Sequence, residues 1–167
     1  PGTVDNTSGI IAYSNNLPMV QFHMREMIQK HIDKPVNLEN DANAAAYGEY
    51  VAGAAKGANN AVCITLGTGV GGGIIVQGKL LAGATGAGGE IGHIHVEDNE
   101  TDRCGCGKQG CLEQYGSATG IVRIANRVLA STDEASVLRD GEISAKSVCD
   151  AAKANDAVAI KIMEQFG

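Results

Sequence analysis

Ala61-Val62-Cys63-Ile64-Thr65-Leu66-Gly67-Thr68-Gly69-Val70-Gly71-Gly72-Gly73-Ile74-Ile75-Val76-Gln77-Gly78-Lys79 is the stretch on which the architecture of this chain turns. The continuous apolar run from Ala61 to Leu66 reads as a buried strand, and Gly73 to Gln77 reads as a second strand shortly after it. Gly67 to Gly72 lies between them as a glycine-rich turn, and Gly78-Lys79 makes a hairpin turn after the second strand. A second glycine-rich run, Gly83 to Gly89, follows.

Downstream, Cys104-Gly105-Cys106-Gly107-Lys108-Gln109-Gly110-Cys111-Leu112-Glu113 has the spacing of a metal knuckle. Cys-x-Cys followed by four residues and a further Cys lets three thiolates converge on one point without a long loop. Tetrahedral Zn²⁺ then needs one more nitrogen or sulfur ligand. His93, in Gly89-Glu90-Ile91-Gly92-His93, is the natural fourth, with His95 as a rival and a disulfide among the cysteines as the other alternative. A site built on His93 draws Glu90, three residues before it, and Glu113, two residues after the last cysteine, toward the same place. A typical Glu is a solvated surface carboxylate, but the glycines before Glu90 and the cysteine before Glu113 argue for a role here. Cys63 and Cys149 read as core residues.

Upstream, Val20, Met24, Met27, Ile28, His31 and Ile32 recur near helical spacing, which predicts a helix from Met19 to Ile32 that Pro35 ends. Pro35 to Glu39 reads as a short strand, and Ala42 to Ala55 as an alanine-rich helix. That places Asn40 or Asp41 at a helix N-terminus, where unpaired N–H groups favour a polar cap. Beyond the cysteines, Ser117 or Thr119 caps a helix running to about Leu129, with Ile121, Val122, Ile124, Ala125 and Val128 on its apolar side. Helices from Ser144 to Ala154 and from Ala157 to Phe166 complete the chain, and Ser131 to Gly141 reads as a linker.

The 167 residues, 44% of them hydrophobic, are enough for a sizeable core and for one domain or parts of two. With 4% aromatic residues and no Trp, that core is built from Ala, Val, Ile and Leu. A net charge of −6 with scattered Lys and Arg leaves no basic stripe, which argues against nucleic-acid binding through this segment. Nothing resembles a signal peptide or a membrane span. The expected setting is cytoplasmic, where thiols stay reduced and clustered cysteines more often mean metal than disulfide. The chain opens without Met and stops at Gly167 within a helical pattern, which suggests a piece of a longer protein.

Four motifs now stand in one order: Glu39-Asn40-Asp41-Ala42-Asn43-Ala44, Leu66 to Gly73, Gly89 to His93, and Cys104 to Glu113. In that order and spacing, over essentially the whole chain, they resemble the ROK family of bacterial repressors, open reading frames and sugar kinases, and among these the kinases that act on glucose. The resemblance implies an α/β, actin-like ATPase (ribonuclease H-like) fold of two lobes. Residues 1–41 would be the end of the small N-terminal lobe, and residues 42–167 the first part of the large lobe, including a zinc loop at 93–113. The family's first phosphate-binding turn and its late adenosine motif are absent, so this segment alone would be inactive.

The resemblance further implies roles residue by residue. Asp41 would contact the sugar and act as general base, taking the proton of the hydroxyl that attacks the γ-phosphorus of ATP. Asn40, Glu90, His93 and Glu113 would supply further hydrogen bonds to the hexose. Gly67, Thr68 and Gly69 would form a second phosphate-binding turn. No Gly-Lys-Ser/Thr follows, so this is not a Walker loop, and a plain glycine-rich hairpin would look similar. His93, Cys104, Cys106 and Cys111 would close around a structural Zn²⁺, with the second imidazole nitrogen of His93 turned to the sugar. Mg²⁺ would accompany ATP, held by an aspartate of the missing first motif. Dimers or tetramers are common in the family. Glucose is the expected substrate, with fructose, mannose and N-acetylhexosamines as alternatives. A sugar-sensing repressor, which keeps the sugar site and zinc loop, is the reading from another class.

Overall fold

The computed structural model describes residues 2–14 and 17–167, so Pro1, on which the chain opens, lies outside them. The chain divides into two units, one made of residues 1–65 and 71–90, the other of residues 66–70 and 91–167.

In the first unit, β1 (Thr3–Asp5), β2 (Ile10–Tyr13) and β3 (Val20–Phe22) form an antiparallel sheet in that order. The Asp5 carboxylate accepts from Thr7 N at 2.9 Å and from Ser8 Oγ at 2.6 Å, which shapes the β1–β2 turn. Arg25 then ties that turn down, donating to Asn6 O at 2.7 Å, Thr7 O at 3.0 Å and Val36 O at 2.9 Å. This arrangement corrects the helix expected from Met19 to Ile32. Val20 and Phe22 pair with Tyr13 and Ile11 of β2, and only Met24–Gln29 is helical, as α1. A ladder partner, which single-chain periodicity cannot reveal, claims the first residues of the pattern. Residues 35–39 belong to no strand. Val36 instead offers its carbonyl to Arg25.

Helix α2 (Asp41–Ala52) begins on Asn40, whose Oδ1 accepts from Ala42 N at 2.9 Å and Asn43 N at 3.2 Å. It packs on the sheet β4 (Ala61–Leu66), β5 (Val70–Val76) and β6 (Lys79–Leu80), ordered β4-β5-β6. The approach is close because both surfaces are bare. A Cβ at Gly73 would stand 2.3 Å from Ala46 Cβ and 2.9 Å from Ala42 O, and one at Gly71 would stand 2.8 Å from Ala42 Cβ. The alternation of Gly71 and Gly73 along the strand therefore matches the i, i+4 pair Ala42 and Ala46 on the helix. The expected glycine turn is shorter than the sequence suggested, since β5 already starts at Val70. Strand β4, expected to be buried, is half-buried on one face and open on the other, with Val62 64% and Ile64 57% exposed. Gln77 and Gly78, both at positive φ, make the β5–β6 turn.

The second unit is a helical cluster. A 3₁₀ turn at Ile91–His93 leads into the cysteine loop, followed by α3 (Glu113–Gly116), α4 (Ala118–Ser131), a 3₁₀ turn at Val137–Arg139, α5 (Ala145–Lys153) and α6 (Ala157–Phe166). Ile121, Ile124, Ala125 and Val128 of α4 meet Val148 and Ala151 of α5 and Val158, Ala159 and Ile162 of α6 in one aliphatic core. The starts of α4, α5 and α6 are capped: Ser117 accepts from Gly120 N, Ser144 and Ser147 cap each other's backbone, and Asp156 accepts from Val158 N and Ala159 N. Ser131 to Gly141 is not a linker. Leu138 is only 5% exposed in the core, and Asp156 also receives Ser136 Oγ at 3.0 Å and Val137 N at 2.9 Å. Burial would raise the Asp156 carboxyl, but these four donors hold it below its usual value. Among the described residues no helix is long and apolar enough to cross a membrane.

The bare contact of α2 on β5 yields a paired test by urea denaturation of the intact protein. Gly73→Ala is expected to cost about 1–3 kcal/mol by overpacking. Gly48→Ala, in the same helix but with nothing within 4 Å of the added Cβ, is expected to gain about 0.5–1 kcal/mol.

Candidate functional site

The four donors singled out from spacing come together. Nδ1 or Nε2 of His93 and the Sγ atoms of Cys104, Cys106 and Cys111 all lie within 4.8 Å of one another. Cys104 Sγ is 3.6 Å from His93 Nδ1, and Cys106 Sγ is 3.6 Å from Cys111 Sγ. Donors about 2.0–2.3 Å from a tetrahedral metal stand about 3.5–3.8 Å apart, so these spacings suit one four-coordinate ion such as Zn²⁺. No cysteine is in a disulfide. His95 turns elsewhere, with Nδ1 3.0 Å from Gln109 O and Nε2 2.8 Å from Asp98 Oδ1. Burial raises the Cys104 thiol and, with the neighbouring sulfurs, pushes Cys111 up to about 12. Three adjacent thiolates need a cation among them, which is what a bound metal supplies. Cys63 and Cys149, expected in the core, are only half-buried.

The loop that presents these donors is braced by the protein itself. Val96 N donates to Gly110 O at 2.7 Å and Leu112 N to Ile94 O at 2.9 Å, so the segments on either side of the cysteines pair. Cys104 N donates to Lys108 O at 2.7 Å, and Lys108 Nζ reaches His93 O at 2.9 Å.

A stronger brace lies just outside the motif. The Glu100 side chain is 0% exposed and is met by Arg123, by Arg127 Nη2 at 2.9 Å and by the Tyr115 hydroxyl. Asp102 takes Arg127 Nη2 at 2.9 Å and Arg123 Nη2 at 3.2 Å. Gln114 Nε2 donates to Asp102 O at 3.0 Å, while its Oε1 accepts from Cys111 N at 3.0 Å. Residues 100–102 before the cysteines and 111–115 after them are thus both fastened to α4. Sequence reading missed this network. Its only trace there is the i, i+4 pair of arginines on a helix whose other face is apolar.

Glu113, at the start of α3, points back to the glycine turn. Its Oε2 accepts from Val70 N at 3.1 Å, and its Oε1 lies 3.8 Å from Cys104 Sγ. A Cβ on Gly69 would fall 2.0 Å from Oε2, so that position must be bare for the carboxylate to reach Val70. The turn is held from α4 as well, by Ala118 N to Gly67 O at 2.9 Å and Thr119 Oγ1 to Thr68 O at 2.8 Å. Gly67 and Thr68 themselves are exposed. Glu113, Thr119, Cys104, Asp102 and Arg123 line a cavity of about 330 Å³.

Asn40, Asp41 and Glu90 belong to the first unit, and His93 and Glu113 to the second. Asn40 supplies the cap of α2, while Asp41 is the first helical residue and is exposed. Glu39 stiffens this corner: Oε1 accepts from Asn40 N at 3.0 Å and Asn43 Nδ2 at 3.2 Å, and Oε2 from Asn6 Nδ2 at 3.0 Å. Glu90 is exposed at the end of the glycine-rich run.

Comparison with known proteins extends over the same residues. The sequence profile of the ROK family matches residues 1–167. The chain is 42% identical to the glucokinase of Halalkalibacterium halodurans over 99% of its own length and 52% of that protein's. It is 32% identical to the xylose repressor of Bacillus spizizenii over 100% of its own length and 40% of that protein's. The ROK family glucokinase from Streptomyces griseus, solved in complex with glucose and AMPPNP, matches at a TM-score of 0.84 and 40% identity, with 99% of this chain and 55% of that one covered. The chain spans about half the length of the curated relatives it matches.

The ion network carries its own pH test. Burial alone would raise the Glu100 carboxyl, but Arg127, Arg123, Tyr115 and the Asp102 N–H hold it well below the usual carboxylate range. A folded value below the unfolded one means that the stabilisation is complete above the unfolded value and is lost as pH falls through that range toward the folded value. Glu100→Gln in the intact protein is expected to cost about 2–3 kcal/mol at neutral pH by leaving two arginines with the more exposed Asp102 as their only carboxylate in this network. Urea midpoints measured down to acid pH should show the gap between parent and variant narrowing, and a constant gap would deny Glu100 that share.

Proposed function

The chain belongs to the ROK family, and from that premise we propose that the protein of which it forms part transfers the γ-phosphoryl group of ATP to a hexose, glucose foremost, giving glucose 6-phosphate. The observation that carries this reading is whole-chain similarity to glucokinases, one of them solved with glucose and AMPPNP. The chain then holds the end of the small lobe, residues 1–41, and the first part of the large one, residues 42–167.

Asp41 is the general base. The ordinary role for a polar residue at this position, the helix cap, falls to the Asn40 side chain, and Asp41 stands exposed beside it. A carboxylate there can take the proton of the sugar hydroxyl as that oxygen attacks phosphorus. Asn40, Glu90, His93 and Glu113 complete the hexose contacts, and Gly67-Thr68-Gly69 receives the ATP phosphates on backbone N–H groups. Mg²⁺ would accompany ATP, held by residues outside this segment, and would supply charge neutralisation to the phosphates.

His93, Cys104, Cys106 and Cys111 hold Zn²⁺ in a closed, structural coordination, which the convergence of their donor atoms supports. With a zinc ion on one nitrogen, His93 would have its tautomer and ring plane fixed, and its second nitrogen would keep an N–H for a sugar hydroxyl. The second reading, a sugar-responsive repressor, is favoured by the match of the whole chain to 40% of a xylose repressor. It predicts sugar binding without phosphoryl transfer.

Two results test the kinase reading in the intact protein. Asp41→Asn is expected to lower kcat by about 10²- to 10⁴-fold with the melting temperature unchanged, and a variant as active as its parent would remove Asp41 from the base role. Metal analysis is expected to find roughly one Zn²⁺ per chain, and its removal by a chelator to raise the KM for glucose by about tenfold or more. Full activity in a metal-free preparation would contradict the zinc assignment.

A further inference from the structure

Ser117 and Thr119, read in the sequence only as alternative helix caps, do more than start α4. Ser117 is 1% exposed, and its Oγ accepts the capping bond from Gly120 N at 2.9 Å. The same Oγ lies 2.7 Å from Glu113 O and 2.9 Å from Thr119 Oγ1. Thr119 Oγ1 donates to Thr68 O at 2.8 Å. With Val70 N donating to the Glu113 carboxylate at 3.1 Å, these contacts close a ring of polar approaches, in which the three hydroxyl contacts share two protons. It runs from the Glu113 backbone through Ser117 and Thr119 to Thr68, along the turn to Val70, and back to the Glu113 side chain. The two hydroxyl protons serve as follows: that of Thr119 goes to Thr68 O, and that of Ser117 goes to either Glu113 O or Thr119 Oγ1.

The ring has a consequence for the turn. Gly67 and Thr68 are exposed, and no side chain packs on Gly67, since a Cβ there would meet nothing within 4 Å. What fixes the direction of their peptide groups is one bond within the turn, Gly67 N to Gly69 O at 3.0 Å, together with the carbonyl anchors on the α4 side, Ala118 N to Gly67 O and Thr119 Oγ1 to Thr68 O. Pinning the carbonyl of Thr68 orients the peptide N–H of Gly69 in the opposite direction, because the two groups belong to one rigid plane. The far end of the ring is the carboxylate of Glu113, the residue assigned to the hexose.

We propose that Thr119 is a positioning residue for the Gly67-Thr68-Gly69 turn and that the Thr119–Ser117–Glu113 ring makes the binding of nucleotide phosphate and of hexose interdependent. The proposal rests on the kinase reading given above. A hexose that settles the Glu113 carboxylate settles Val70 N and the turn, and phosphates on the turn settle Glu113. By linkage the two factors are equal.

The test is calorimetry and steady-state kinetics on the full-length protein with AMPPNP, ATP and glucose, comparing the parent with Thr119→Val, which keeps the shape and removes the hydroxyl, and Thr119→Ser, which keeps the hydroxyl. In the parent, saturating glucose is expected to tighten AMPPNP by about fivefold or more. Thr119→Val should weaken AMPPNP by about fivefold, the worth of one hydrogen bond, reduce the glucose-dependent factor toward unity, and raise the KM for ATP while glucose binding without nucleotide stays as in the parent. Thr119→Ser should restore all three.

If Thr119→Val matches the parent in AMPPNP affinity and in the glucose factor, the proposal is overturned. It is also overturned if both ligands weaken together with a lower melting temperature that Thr119→Ser does not repair, because that outcome describes a helix cap alone. A parent that binds sugar but neither binds AMPPNP nor turns over ATP overturns the kinase reading and this proposal with it. A parent that turns over normally beside an indifferent Thr119→Val sinks the proposal alone.

Discussion

A carboxylate with no contact to water organises the metal-loop side of this chain. Burying the charge of Glu100 costs several kcal/mol unless cationic partners converge on it, and Arg123, Arg127 and Tyr115 do so from α4 and α3. That demand brings α4 against the segment just before the first cysteine of the loop. Gln114 then bonds that segment and Cys111 together. The four potential metal donors are thus gathered by a scaffold of protein hydrogen bonds, and the same scaffold sets Glu113 over the glycine turn. The cluster of potential metal donors, Glu113 and the glycine turn share one mechanical support in the second unit.

The first unit works by the opposite means, through removal of side chains. Gly71 and Gly73 on β5 and Ala42 and Ala46 on α2 leave so little between backbone and backbone that the helix lies almost directly on the strand. The start of α2 is thereby located to within a small tolerance, and with it Asp41. Glu39, Asn40 and Asn43 stiffen the same corner with side-chain bonds. In the proposed role of Asp41 as base, efficiency depends on reach to one hydroxyl, and such a mount supplies it.

Legibility in the sequence followed the range of the interactions. The helices α4, α5 and α6 and the cap of α4 were readable because spacing and capping are local. The cysteine cluster was readable because its three thiols lie within eight residues and their chemistry is nearly unique. Val20 misled because its partner strand lies several residues away and carries no mark in its own pattern. Leu138 looked like part of a linker, since one buried leucine amid polar residues gives no period. Glu100 could not be found at all. A glutamate in a polar loop announces solvent, and only the fold reveals that two arginines a helix away require it.

The union of a glucokinase-like sequence with a repressor-containing family leaves one chemical question above the rest, namely whether phosphorus moves. Phosphorus NMR of the intact protein with ATP, Mg²⁺ and glucose answers it directly. The predicted result is growth of a sugar phosphomonoester resonance, that of the 6-phosphate, in step with ADP. Unchanged ATP in the presence of bound glucose would contradict the kinase assignment and leave a sugar-binding regulator in its place.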